Sequence, residues 1–300
     1  MKNNPRFNAR SSYVKPLLTD KHKATRVDFV KSFLRPALNS YHVFANMHNI
    51  VHVDEKWFYL TKIKRRFYVF DDKELALRAV QSKKFITKVM FMAAVARPRY
   101  DYTKNRMFDG KLGVSPFVES TLAIRSSKNR PKGTPITSPT TVTGDVYRDM
   151  ILRNVIPAIQ AKMPAIGRRE TINIQQDNAG PHQQLTTDFL RAHGVERIDI
   201  VPQPAQSPDF NVLDLGFFNS IQSLQYQKRT RNIDELIGAV ECALFELPVD
   251  TLAKTFVTLQ NVMATSLAIN GCNNYKIPHM KKDSAIDNLH EFNLRIRLDE

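Results

Sequence analysis

Along residues 49–60, NIVHVDEKWFYL, apolar and polar positions alternate. Val51 and Val53 fall on one side of an extended chain and His52 and Asp54 on the other, which predicts a strand. RRFYVF (65–70) and KVMFMAAVA (88–96) are two more runs rich in apolar and aromatic residues, and three strands in succession predict an antiparallel meander. A fourth strand ends in INIQQDNAGPH (172–182), where Ile172 and Ile174 alternate with polar neighbours before an Asp-Asn and Gly-Pro break; RIDIVPQ (197–203) is a fifth. Helical spacing governs other stretches. Residues 18–35 carry a stripe of Val27, Phe29, Val30 and Phe33 behind a cap at Thr19 or Asp20. Residues 146–162 are amphipathic and divided by Pro157, and 183–193 form a further helix. In 207–227, Ser207 suits an N-cap, Pro208 the first helical position and Asp209 the positive end of the helix dipole. That reading puts Asn211 and Asp214 on one helix face, with Leu213, Phe217 and Ile221 inward. Residues 233–270 are again helical, and the charged tail beyond about 281 is expected to be loose. Residues 97–143 are irregular, basic and proline-containing, long enough to predict a functional segment or a hairpin. The element order is that of an α/β fold with a mixed sheet.

Composition adds two things. With 42% hydrophobic residues in 300, the chain has material for a sizeable core. No apolar run is long enough to span a membrane, and the basic N-terminus has no apolar segment of a secretory signal, so no membrane partner is expected. Cys242 and Cys272 have no second cysteine at zinc-finger spacing; both are expected reduced and packed. The charge is more telling. Lys and Arg number 44 against 29 Asp and Glu, a net +15 that favours a polyanionic partner, nucleic acid before membrane. Lys62, Lys64, Arg65 and Arg66 form one basic cluster, and Arg125, Lys128, Arg130 and Lys132 a second in a stretch rich in Pro, Gly and Ser. A solvated basic surface would also read this way; phosphate-binding arms are the sharper expectation.

Three acids occupy special places: Asp54 on the first strand, Asp177 at the end of a later strand, Asp214 in the first turns of a capped helix. Singly, each has a plain explanation as a surface residue, a turn former or a helix-surface charge. If two neighbouring strands and a helix across their ends bring them together, they make the hard oxygen ligand set that suits Mg²⁺ or Mn²⁺. Phosphodiester cleavage or transfer is chemistry that two such ions perform.

The words around these acids go further. VDEKWF (53–58), QQDNAGPH (175–182) and SPDFNVLDLGFF (207–218), in this order, resemble the catalytic core of mariner-like transposases, most of all the branch found in plants and related elements of other eukaryotes. QSKKFITKVMFMAAVARPR (81–99), RSSKNRPKGT (125–134) and GCNNYKIPHMKK (271–282) resemble that branch too, so the likeness covers roughly 15–282. It implies a ribonuclease-H-like mixed sheet flanked by helices, with a basic clamp-like insertion and a helical C-terminal part. The corresponding division is a lead-in over 1–47, a catalytic domain over 48–230 with its insertion at 97–143, and a helical extension and tail over 231–300.

The resemblance implies that Asp54, Asp177 and Asp214 are the catalytic and metal-binding triad, holding two Mg²⁺ or Mn²⁺ ions. Asn178, His182 and Asn211 are implied in supporting or DNA-positioning roles. For His182, a capping or packing role is the competing reading. It implies cleavage of transposon ends and strand transfer into target DNA by a homodimer in the nucleus, without a small-molecule cofactor. Two departures stand out. Only 36 residues lie between Asp177 and Asp214, fewer than is usual in that branch, which suggests a shortened loop near 194–197. The helix-turn-helix modules that precede the core in such enzymes are expected to be absent, leaving a chain that need not be autonomous. The alternatives are an inactive or domesticated DNA-binding or dimerising protein, and a ribonuclease-H-like nuclease acting on other nucleic acid.

Overall fold

Helix α1 (Asp20–Ser32) starts at Thr19, whose side-chain oxygen accepts the His22 N–H at 3.2 Å. This computed structural model describes residues 15–61, 86–126, 130–167, 170–278 and 280–297. Of the expected stripe, Val30 and Phe33 are buried, and Phe29 packs against the same core. Arg26, absent from that stripe, is buried too. Its guanidinium donates to Asp209 Oδ1 and Oδ2 at 2.8 and 2.7 Å and to the Gly271 carbonyl at 2.8 Å, and lies 4.0 Å from the Phe210 ring centre. Asp209 therefore pairs with a buried cation rather than with a helix dipole. Gly271, at φ +77°, allows the close approach, since a Cβ there would stand 2.2 Å from the Lys23 carbonyl oxygen.

Two short strands, β1 (Leu34–Pro36) and β2 (Tyr41–Phe44), pair antiparallel and lead to β3 (Ile50–Tyr59). Next come β4 (Lys88–Ala96), the hairpin β5 (Arg99–Asp101) and β6 (Arg106–Phe108), then β7 (Lys111–Pro116). A second hairpin, β8 (Val118–Leu122) and β9 (Pro135–Pro139), projects before helix α2 (Gly144–Met150). A wide π-helical turn, Ile151–Val155, joins α2 to α3 (Ile156–Lys162). The division falls at Pro157, which has no N–H to continue the ladder, as the sequence predicts. Strand β10 (Ile172–Gln176), helix α4 (Thr187–Ala192) and strand β11 (Ile198–Pro202) follow, then α5 (Phe218–Gln225), α6 (Ile233–Glu246) and α7 (Val249–Ala268).

The central five-stranded sheet runs β11-β10-β3-β4-β7. β10 is parallel to β3 and β11, while β3, β4 and β7 form an antiparallel meander. That meander differs from the expected one. The run 65–70 lies outside the described residues, β3 pairs directly with β4, and the third strand is β7, inside the stretch 97–143 read as irregular. Lys111–Pro116 alternates weakly and carries a glycine, so its sequence hides a sheet position that β4 supplies. The rest of that stretch leaves the sheet in two hairpins, β5–β6 before β7 and β8–β9 after it.

Each face of the sheet has its own core. Val51, Val53 and Met92 pack with Tyr147, Ile151, Ile159 and Leu190 on one side. Phe58, Phe91 and Val95 pack with Phe217, Leu252 and Phe256 on the other. The alternation of β3 is thus the one its sequence predicts, with His52 on the second face against Phe256.

Three further expectations are corrected. The tail is docked: α8 (Lys282–Ala285) is followed by β12 (Arg295–Arg297), which pairs with β2, and buried Arg97 donates to Asn293 Oδ1 at 2.7 Å and to the Phe292 carbonyl. Backbone pairing and a buried guanidinium, neither legible in local composition, hold it. Cys242 is exposed on α6 rather than packed, and both cysteines are free. The helix expected from 183 begins at Thr187, capped by Thr186, because Gly180–His182 is a separate 3₁₀ turn.

Candidate active site

The site is built where β3 and β10 run side by side. Their register pairs Gln175 with His52, so continuing two residues, one past the end of β10, brings Asp177 level with Asp54. Asp54 is paired across β4 with Ala93, a residue too small to crowd it. The third acid comes from the segment after β11, and not from a helix begun at Ser207. Pro208–Phe210 is a 3₁₀ turn, Asn211 is extended at φ −112° and ψ 122°, and a π-helical turn, Leu213–Phe217, runs into α5. Asn211 is therefore not on one helix face with Asp214. Its role is more specific. Buried to 1% exposure, its Oδ1 accepts the Leu213 N–H at 3.0 Å, capping the turn that carries Asp214, and its Nδ2 donates to Asp54 Oδ2 at 3.0 Å. One amide thus links two of the acids.

Glutamines hold the loops that surround them. Gln175 Nε2 donates to Gln203 Oε1 at 3.2 Å and to the Phe210 carbonyl at 3.0 Å, and Gln203 Nε2 donates to the Ser207 carbonyl at 2.5 Å. Asn178 Nδ2 donates to the Gln203 carbonyl at 2.6 Å, so its amide ties two loops together. The result is a cleft of about 480 Å³ lined by Asp54, Glu55, Asp177, Asn178, Gln203 and Asp214.

Electrostatics distinguish the acids. Burial, then the neighbouring Asp214 and Glu55 carboxylates, push Asp54 up to about 8. Asp214 is also raised by burial, against the pull of Lys56, and lies within hydrogen-bonding reach of Asp54. Both carboxyls are thus shifted towards their protonated forms, as burial beside a like charge requires. For Asp177, burial acts upward, but His182 and the Ala179 N–H outweigh it and hold the carboxyl below its usual range. His182 Nδ1 lies 2.5 Å from Asp177 Oδ1, and Nε2 lies 3.2 Å from Glu55 Oε2. The Nδ1 contact is an ion pair rather than an aligned hydrogen bond. Burial would lower His182, but these two carboxylates raise it to about 10. Its ring stacks on Tyr147 at 4.0 Å.

All three expected acids therefore line one cleft. Among the described residues, no three His, Cys, Asp or Glu side chains surround a single point closely enough to hold an ion as they stand. The charge pattern nevertheless suits a cation, since, beyond burial, Asp214 raises Asp54 and Asp177 raises Asp214, with Lys56 acting against that on Asp214. Glu55, Gln175, Gln203 and Tyr147 had no assigned role in the sequence reading. For Glu55 the strand period gives the reason: its side chain leaves β3 on the Val53 face, opposite Asp54, and it reaches the margin of the cleft where it meets His182. Lys62, Lys64, Arg65, Arg66 and Lys128 lie outside the described residues. Arg125 and Lys132 are exposed at the end of the β8–β9 hairpin, Arg130 is half-buried there, and none of the three lines the cleft.

No protein-family model matches the sequence, and no curated protein matches it by sequence. Solved structures do match the fold. A Mos1 mariner paired-end complex with Mn is similar with a TM-score of 0.63 and 16% identity, over 92% of this chain and 70% of that one. The Mos1 transposase paired-end complex with left transposon end gives 0.61 and 17%, over 90% and 68%. The catalytic domain of Mos1 mariner transposase gives 0.54 and 17%, over 86% of this chain and 98% of that one. At these identities the likeness is one of fold: a five-stranded mixed sheet flanked by helices, as in ribonuclease-H-like transposase catalytic domains.

Proposed function

We propose that this chain is the catalytic core of a mariner-like DNA transposase, of the plant-type branch that its motifs resemble, cleaving transposon ends and joining them to target DNA. The observation that carries the reading is that Asp54, Asp177 and Asp214, far apart in sequence, line one acidic cleft in an otherwise basic protein. An acidic cluster would repel the phosphates of DNA unless cations neutralise it, whereas the net charge of +15 attracts them. Asp54, Asp177 and Asp214 are the residues that would hold the ions. When bound, a pair of Mg²⁺ or Mn²⁺ ions supplies Lewis acidity, making the attacking hydroxyl more acidic and stabilising charge on the leaving oxygen.

The chain's own groups do the positioning. Asn211 orients Asp54 and caps the turn of Asp214 at once, so the two carboxylates move together. The Gln175–Gln203 network holds the loop that closes one side of the cleft. The β8–β9 hairpin, with Arg125, Arg130 and Lys132, is proposed as an arm to DNA and to a second copy in a homodimer acting in the nucleus. Supporting this reading, the similar solved structures include Mos1 paired-end complexes with a left transposon end, with Mn and with Mg.

The direct experiment is nicking of supercoiled DNA with Mg²⁺, Mn²⁺ or EDTA, using wild type and Asp54→Asn, Asp177→Asn and Asp214→Asn. Metal-dependent nicking lost in all three variants supports the reading. A folded wild type that binds DNA but nicks none with either metal would favour the inactive, DNA-binding alternative.

A further inference from the structure

We propose that Glu55 and His182 are positioning residues of the cleft: Glu55 fixes His182, and His182 fixes the Asp177 carboxylate so that one of its oxygens is left for a divalent cation. The inference rests on the metal-dependent reading above. It begins with the two oxygens of Asp177. Oδ1 accepts the Ala179 N–H at 2.9 Å and faces His182 Nδ1 at 2.5 Å. Among the described residues Oδ2 has no such partner, and Asp177 lies on the cleft that Asp54 and Asp214 also line. A carboxylate held by one oxygen and free at the other is oriented as a ligand, which is how outer partners commonly set metal-binding carboxylates.

His182 is itself constrained from every side. Its side chain is 4% exposed, its ring is stacked on Tyr147, and its backbone carbonyl accepts Gln176 Nε2 at 3.1 Å. Gln176 Oε1 in turn accepts the Tyr147 hydroxyl at 3.0 Å. The far ring nitrogen faces Glu55 Oε2 at 3.2 Å, and the Glu55 side chain is only 11% exposed. Both nitrogens thus face carboxylates, which accept and never donate, so the ring serves as a cation between two acids. Glu55 reaches it because strand alternation turns this side chain to the Tyr147 face, opposite Asp54. Adjacent residues of one strand therefore serve the same site from opposite faces, Asp54 as a candidate ligand and Glu55, at the cleft margin, by holding His182.

The test measures Mn²⁺ affinity of the full chain, without DNA, by calorimetry or by the electron paramagnetic resonance of free Mn²⁺. His182→Phe keeps a ring to stack on Tyr147 and removes the charge. If His182 only fills space, affinity is unchanged. If only its charge matters, removing a cation beside the acids tightens Mn²⁺ binding. Positioning predicts the opposite, a loss of about 10- to 100-fold. Glu55→Gln should weaken binding in the wild-type background and add little in the His182→Phe background, because it acts through that ring. Unchanged or tighter binding by His182→Phe overturns the proposal, as does an equal Glu55→Gln loss in both backgrounds. Should melting show His182→Phe unfolded, His182→Gln takes its place in the same comparison. Asp177→Asn separates the two levels of inference. If Asp177→Asn abolishes Mn²⁺ binding while the His182 variant does not weaken it, only the positioning role falls. If wild type does not bind Mn²⁺, or Asp177→Asn binds as well as wild type, the metal reading falls and this inference with it.

Discussion

Replacing Asp54 by Asn should stabilise the metal-free protein, and the size of the effect follows from the crowding of its carboxylates. Burial and Asp214 push Asp54 up to about 8 from an ordinary 3.8. A carboxyl whose folded value lies above its unfolded value contributes stability that is present below about pH 4 and lost as the pH rises towards 8. At pH 7 roughly three units of that gap have been crossed, which sets a ceiling of about 4 kcal/mol at 1.36 kcal/mol per unit. Coupling to Asp214 and side-chain relaxation reduce it, and about 2 kcal/mol is the expected gain for Asp54→Asn. That is on the order of 4 °C in melting temperature for a chain of this size. The amide keeps one acceptor for Asn211 and gains an N–H to offer Asp214. Thermal or urea melts in EDTA at pH 5 and pH 7.5 measure it: the variant's advantage should be small at pH 5 and grow at pH 7.5. Saturating Mn²⁺ should then reverse the ranking, because only wild type gains the ion's binding energy, about 2.7 kcal/mol at a hundredfold excess over Kd. An Asp54→Asn protein less stable than wild type in EDTA at pH 7.5 would refute the crowding argument, and an unchanged ranking in Mn²⁺ would refute the metal site.

Other consequences are open to simpler measurements. Asp209→Asn leaves the buried Arg26 guanidinium without its bidentate partner and should cost about 3 kcal/mol in a denaturant melt; a cost under about 1 kcal/mol would mean that neutral partners suffice for Arg26. Deleting residues 125–134 should weaken dimerisation or DNA binding while leaving the melting temperature nearly unchanged, because only the end of the β8–β9 hairpin is lost. Unchanged sedimentation and unchanged DNA affinity would mark that segment as a solvated loop. Binding to duplex DNA should fall by orders of magnitude between low and moderate salt if six or more phosphates are engaged, as lysines and arginines displace condensed counterions. A flat salt titration would show that the +15 surface is not a phosphate-binding one.

Much of the framework was legible because it rests on short-range periodicity. The two-residue period of β3 correctly divides Val51 and Val53 from His52 and Asp54, Thr19 caps α1, and Pro157 divides the helix that contains it, since all three depend on neighbours in sequence. The three aspartates were legible through the words around them, and the parallel register of β10 with β3 sets Asp177 level with Asp54. What tertiary structure alone decided are relations between residues with no periodic link. β7 is a sheet strand because β4 offers it an edge, not because Lys111–Pro116 has a strong strand pattern. Asn211 looks like a helix-face neighbour of Asp214 and is instead an extended residue whose amide joins Asp214's turn to Asp54, because Asn211 Oδ1 caps that turn from outside it. Arg26 reads as a surface charge of an amphipathic helix until Asp209, 183 residues away, pairs with it in the core. Glu55 leaves the strand opposite Asp54 by strand parity, and only the return of the chain at His182 gives it a partner beside the cleft. Local sequence determines which faces and turns form; charge pairs and amide links between residues far apart in the chain exist only once the sheet is assembled.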